Sequence, residues 1–109
     1  MLESLFGNVT IEKIFLFLFV YGEGYPKKIA DVFDIPVNGI QQQFKRMEDG
    51  GIVVSKLQGK TRVYQFNPRF VFLDQLKTLL QKAVDVLPEA EKEKYYRMRT
   101  RPRRKGKPS

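Results

Sequence analysis

Apolar residues spaced three and four positions apart predict two helices in the first third of the chain. The first begins at a cap provided by Asn8 or Thr10 and ends at residues 22–24. Its apolar residues cover much of the circumference, which predicts burial between other elements or against a second subunit. The second helix has Pro26 in its first turn and is broken at residues 34–36.

A third helix and a β-hairpin follow in the sequence. The helix carries a stripe at positions i, i+4 and i+7, which consists of Ile40, Phe44 and Met47. Gly50 and Gly51 then end it. Residues 52–57 and 61–66 are rich in strand formers and are separated by a short turn that contains Gly59. These two runs predict an antiparallel hairpin.

The last long helix is predicted from Phe72 to Leu87, where Pro88 ends it. Alternating spacings of three and four form a coiled-coil-like seam of Leu73, Leu76, Leu80, Ala83 and Leu87. We expect this seam to form a homodimer together with first-helix residues Ile14, Phe15 and Leu18. The alternative is packing within one chain, with the last helix against the first.

Composition excludes several kinds of chemistry. The 109 residues contain no Cys and no His, which excludes disulfides, thiolate or imidazole metal sites and His-based catalysis. No Gly-rich phosphate-binding motif is present. We therefore expect no enzyme activity, no metal and no cofactor. The longest apolar run, residues 14–21, is too short to span a membrane, so we expect a cytoplasmic protein.

Net charge divides the chain into two parts. The formal charge is +8, and residues 94–109 alone hold eight basic residues and no acidic one. We therefore divide the chain into a domain at residues 1–88 and a short helix with a flexible basic tail at 89–109. Tail cations expected to contact DNA are Arg101, Arg103, Arg104, Lys105 and Lys107. An unstructured arm near phosphates is favoured over a minor-groove AT-hook.

The predicted order of elements is that of a winged helix-turn-helix, mostly α with a small β-hairpin wing and a C-terminal dimerisation helix. Facing away from the buried stripe of the third helix are Asn38, Gln41, Gln42, Gln43, Lys45 and Arg46, which suit base edges and phosphates. Gly39 permits a close approach of DNA to the backbone. Flanking cations are Lys27, Lys28, Lys56, Lys60 and Arg62. An ordinary solvated helix face is the alternative.

Short motifs between residues 5 and 87 resemble the ArsR-type winged-helix transcriptional regulators. They are 5–7, 29–31, 40–47, 49–53, 59–64 and 67–68. The likeness is to small prokaryotic regulators associated with minimal nucleotidyltransferases. It implies that Val37, Asn38, Gln41, Gln42 and Gln43 face the major groove, that Lys60 and Arg62 lie on the wing, and that the first and last helices form the dimer. Without Cys or His, metal sensing is not implied.

The resulting hypothesis is that the protein is a dimeric transcriptional regulator that binds double-stranded DNA sequence-specifically. It would act as a repressor by occupying a palindromic operator. A second hypothesis is a winged-helix interaction module in which the third helix contacts a partner enzyme such as a nucleotidyltransferase. RNA binding through the basic tail is a third hypothesis.

Overall fold

The computed structural model describes residues 2–96 of the chain. It is mostly helical and contains one small antiparallel hairpin. The elements are α1 (Glu3–Phe6), α2 (Val9–Tyr21), α3 (Pro26–Phe33), α4 (Val37–Asp49), β1 (Val53–Gln58), β2 (Thr61–Phe66), α5 (Leu73–Val86), α6 (Glu89–Glu91) and a π-helical segment, Lys92–Tyr96. The helices predicted at α2 to α5 and the hairpin are present, whereas α1 was not predicted.

Local chemistry sets the ends of the early helices. The Asn8 side chain accepts a hydrogen bond from the Ile11 amide at 2.8 Å and so caps α2, as predicted. The Gly22 amide donates to the Leu18 carbonyl at the other end. Pro26 occupies the first turn of α3, and Asp34 ends α3 with a φ of 56°. The chain can therefore turn sharply between α3 and α4.

Helix α2 lies at the centre of the core. Its Ile14, Leu16 and Leu18 point in different directions around the helix, yet all are at most 1% exposed. Helices α3, α4 and α5, strand β2 and the C-terminal π-helical segment all contact it. The wide apolar surface predicted for this helix is therefore buried by other elements of the same chain.

This packing corrects the predicted subunit contact. Six of the eight residues assigned to it lie in the core of the chain itself, namely Ile14, Phe15, Leu18, Leu80, Ala83 and Leu87. They are not available to a second subunit, because the α5 seam packs on α2, which was the alternative interpretation. Only Leu73 and Leu76 remain half-buried.

The hairpin is held on both edges of β2. Strands β1 and β2 pair from Val53 opposite Phe66 to Gln58 opposite Thr61. On the other edge, the Gly24 amide donates to the Tyr64 carbonyl at 3.0 Å, and the Tyr64 amide donates to the Gly24 carbonyl at 2.8 Å. The connection before α3 therefore fixes the position of the hairpin.

The C-terminal segment closes over α3. The ring of Tyr95 lies 4.9 Å from that of Phe33, and the ring of Tyr96 lies 5.8 Å from it. Burial raises the pKa of the Tyr96 hydroxyl above its ordinary value. Between residues 2 and 96, no helix has the length and apolar character needed to cross a membrane.

We expect Gly24→Ala to lower the free energy of unfolding by about 1–3 kcal/mol, the usual range for overpacking. An added Cβ would lie 2.8 Å from the Cε1 atom of Phe17 and 3.2 Å from the Cδ1 atom of Ile29. Urea denaturation measures the change. Gly39→Ala in α4 is the control, because a Cβ there meets no atom within 4 Å. The control should instead raise the free energy of unfolding by about 0.5–1 kcal/mol. Equal effects of the two substitutions would contradict the close packing of Gly24 against Phe17 and Ile29.

Candidate nucleic-acid interface

The rotation of α4 about its axis is set by its buried stripe. Ile40 and Phe44 are fully buried and Met47 is 3% exposed. The opposite side of the helix carries exposed polar side chains, namely Asn38, Gln42, Lys45 and Arg46. Because Asn38, Gln42 and Lys45 follow the i, i+4, i+7 spacing, they form one continuous row on this side.

An aromatic stack joins α4 to the hairpin. The rings of Phe44 and Tyr64 are nearly parallel, at 12°, with their centroids 4.1 Å apart. Burial, with a smaller contribution from Glu48, raises the pKa of the Tyr64 hydroxyl above its ordinary value. The hydroxyl is therefore protonated at neutral pH and can donate a hydrogen bond.

A groove of about 620 Å³ opens between the start of α3, the side of α4 and the tip of the hairpin. Four cationic side chains from these three elements line it, namely Lys27, Lys45, Lys60 and Arg62. The amide of Gln41 lies among them, and none of the described residues that line the groove is acidic. Such a concave surface attracts anions and offers hydrogen-bond donors to them.

Two of these cations have weak carboxylate partners on their own helices. The Nζ atom of Lys27 lies 2.9 Å from an Asp31 oxygen, and that of Lys45 lies 3.4 Å from an Asp49 oxygen. All four side chains are at least 60% exposed. Exposed ion pairs of this kind contribute little to the free energy of folding. A phosphate can therefore replace either carboxylate as the partner of the lysine with little loss of stability.

Arg62 is oriented by a hydrogen-bonded chain across the hairpin. Its Nη1 atom donates to the Ser55 Oγ atom at 3.0 Å, and the Ser55 hydroxyl donates to a Glu48 carboxylate oxygen at 2.6 Å. This chain connects the last turn of α4 to both strands. The guanidinium is thereby held beside the groove while its other N–H groups remain available.

The structure does not bring all predicted residues to this groove. Lys28 lines a different cavity, described below. Strand alternation places Lys56 on the face of β1 opposite Ser55. Val37 is half-buried and packs on the core, although it also borders the groove. The backbone at Gly39 is free of close neighbours.

The prediction for Gln43 is corrected. It lies on the opposite flank of α4 from Gln41, because two residues along a helix turn through roughly 200°. Its side chain is half-buried, and the Oε1 atom is buried with no hydrogen-bond partner within the described part of the chain. Gln43 therefore does not belong to the outward row.

Tail residues Arg101, Arg103, Arg104, Lys105 and Lys107 lie outside residues 2–96, which the structure describes.

Four groove residues were missed by sequence reasoning, namely Tyr25, Pro26, Thr61 and Tyr64. Alternation along β2 offered a signal for Tyr64, since it shares a face with Arg62 two positions earlier. Tyr25 and Thr61 carried no comparable signal, because each borders the groove only through the meeting of α3 with the hairpin tip.

No protein-family model matches this chain, and no curated protein matches it. The resemblance to ArsR-type regulators therefore stays a prediction.

Proposed function

We propose that this chain is a winged helix-turn-helix regulator that binds double-stranded DNA, with α4 in the major groove and the hairpin as the wing. The observation that supports this most is the groove described above. Helices α3 and α4 and the hairpin together contribute four cations to it, beside the exposed amides of α4. The mostly helical layout with one small hairpin is compatible with this fold.

Base reading is assigned to the exposed amides of α4. Asn and Gln side chains form paired hydrogen bonds with adenine, which contribute about 1–3 kcal/mol of discrimination each. Asn38 and Gln42 lie in the outward row, and Gln41 lies on its groove side. Gln43 is not assigned this role, because it lies off the outward row and its Oε1 atom is buried.

Phosphate contacts are assigned to the cations of the groove. Lys27 lies near the start of α3, and Lys60 and Arg62 lie on the hairpin, so the three flank α4. Together with Lys45, they would neutralise four phosphates per chain. Counterion release then gives each chain a contribution of about −3.6 to the slope of log affinity against log salt concentration, and a dimer twice that.

We expect the double variant Gln41→Ala, Gln42→Ala to lose discrimination between its selected site and random duplex by about 1–3 kcal/mol per lost contact. Its salt slope should stay near that of the unchanged chain, because the cations remain. Fluorescence anisotropy at several salt concentrations measures both quantities. Gln81→Ala, on the exposed side of α5, is the matched control.

If the double variant kept full discrimination, α4 would not read bases. Weak nucleic-acid binding that is equal in both proteins would instead favour the interaction-module hypothesis, in which this face contacts a partner enzyme.

We also propose a homodimer, through a surface that is centred on residues other than the predicted ones and shares Leu76 with them. Exposed apolar residues cluster around α1 and the start of α5, namely Leu5, Val71 and Phe72, which are 61–77% exposed. Phe72 also lines a cleft of about 350 Å³, together with Phe6, Phe70, Leu76 and Leu79. A concentration of exposed apolar side chains indicates a contact surface. Two copies related by a two-fold axis would read half-sites about 34 Å apart.

We expect sedimentation to show a dimer at micromolar concentration and Phe72→Glu to shift it to monomer. The substitution places a charge in an apolar contact, where it loses hydration. It should not disturb folding, because Phe72 is 61% exposed. Leu57→Glu is the control, since Leu57 is equally exposed but lies at the hairpin. A monomeric unchanged chain, with or without DNA, would exclude the dimer.

A further inference from the structure

A second cavity lies on the other side of the connection before α3. It has a volume of about 440 Å³, within the range of small-molecule sites, and is lined by residues of α2, α3, β2 and the C-terminal π-helical segment. Neither the base-reading row of α4 nor the hairpin tip contributes to it. It therefore has no part in the DNA contact proposed above.

Aromatic rings form much of the wall, namely Phe17, Tyr21, Tyr25 and Tyr95. The rings of Phe17 and Tyr21 lie 4.6 Å apart, and the Tyr21 hydroxyl donates to the Tyr95 carbonyl at 2.7 Å. That hydrogen bond joins α2 to the C-terminal segment and holds two of the walls together. The cavity thus has a preformed aromatic lining, which suits a planar ring.

The charged residues of the lining favour an anion. Lys28 and Lys94 both border the cavity, against one carboxylate from Glu23. Neither lysine has an ion-pair partner among residues 2–96, and the Lys94 Nζ atom rests 5.2 Å from the centroid of the Tyr95 ring. A ligand with one negative charge would pair with the two lysines. A second negative charge on the ligand would be disfavoured, because the Glu23 carboxylate would repel it.

The geometry points to this cavity as a binding site for a small aromatic monocarboxylate. The ring lies against the tyrosines, and the carboxylate accepts hydrogen bonds from the ammonium groups of Lys28 and Lys94. Tyr25 lines both this cavity and the groove beside α4, so the two sites share a wall. The inference itself does not require DNA binding.

The probe that tests it is 1-naphthoate, added to the full chain without DNA and followed by calorimetry and by amide chemical shifts. We expect saturable binding, with shifts at residues that line the cavity. Neutral 1-naphthamide and the non-aromatic anion cyclohexanecarboxylate should each bind about tenfold more weakly, because each lacks one of the two interactions. Equal binding of all three compounds, or no binding of 1-naphthoate, would overturn the inference.

A double variant, Lys28→Gln with Lys94→Gln, separates the cavity from general attraction to a basic chain. Both lysines are exposed, so the fold should be retained. The double variant should weaken 1-naphthoate binding about fivefold to tenfold, and Lys82→Gln on α5 should leave it unchanged. If Lys82→Gln lost as much affinity for 1-naphthoate as the double variant, the ligand would be attracted by the net charge of the chain, and the proposed site would be refuted.

Discussion

The burial of one stripe of α4 is the constraint on which the rest of this structure depends. Ile40 and Phe44 have no exposed surface, and the Phe44 ring stacks on Tyr64 of the hairpin. A rotation of α4 by a single residue would expose these side chains and break that stack, at a cost of about 1.5–3 kcal/mol for each large apolar group. The direction of Asn38 and Gln42 is therefore fixed by packing on the other side of the helix.

The positive charge of the groove arises because folding brings cations from separate elements onto one surface. The body of the chain is nearly neutral, since residues 1–88 contain 11 basic and nine acidic side chains. The cations of the groove meet because Gly24 pairs with Tyr64, which brings the start of α3 against the hairpin. Without that pairing, Lys27 and Arg62 would not share a surface. The same connection separates the groove from the aromatic cavity, so one short segment positions both sites.

The helices and the hairpin could be predicted from the sequence, but the contacts between them could not. Asn8, Pro26 and Gly51 act through local chemistry, so they could be recognised from the chain alone. The α5 seam at Leu80 and Ala83 could not be assigned, because repeated spacings of three and four are the same whether the helix packs on α2 or on a second copy. Gln43 was misplaced because it lies at the edge between the buried and exposed sides of α4. The Gly24 pairing involves a single residue and therefore leaves no periodic pattern.

Selection of bound sequences from a random duplex pool, at about 150 mM salt, tests the central claim most directly, because at that concentration non-specific phosphate contacts contribute less. We predict enrichment of a two-fold-symmetric site whose half-sites contain adenines at the positions that face α4. A pool that stays random after repeated rounds, although the folded protein retains DNA, would contradict the claim that the exposed amides of α4 read bases.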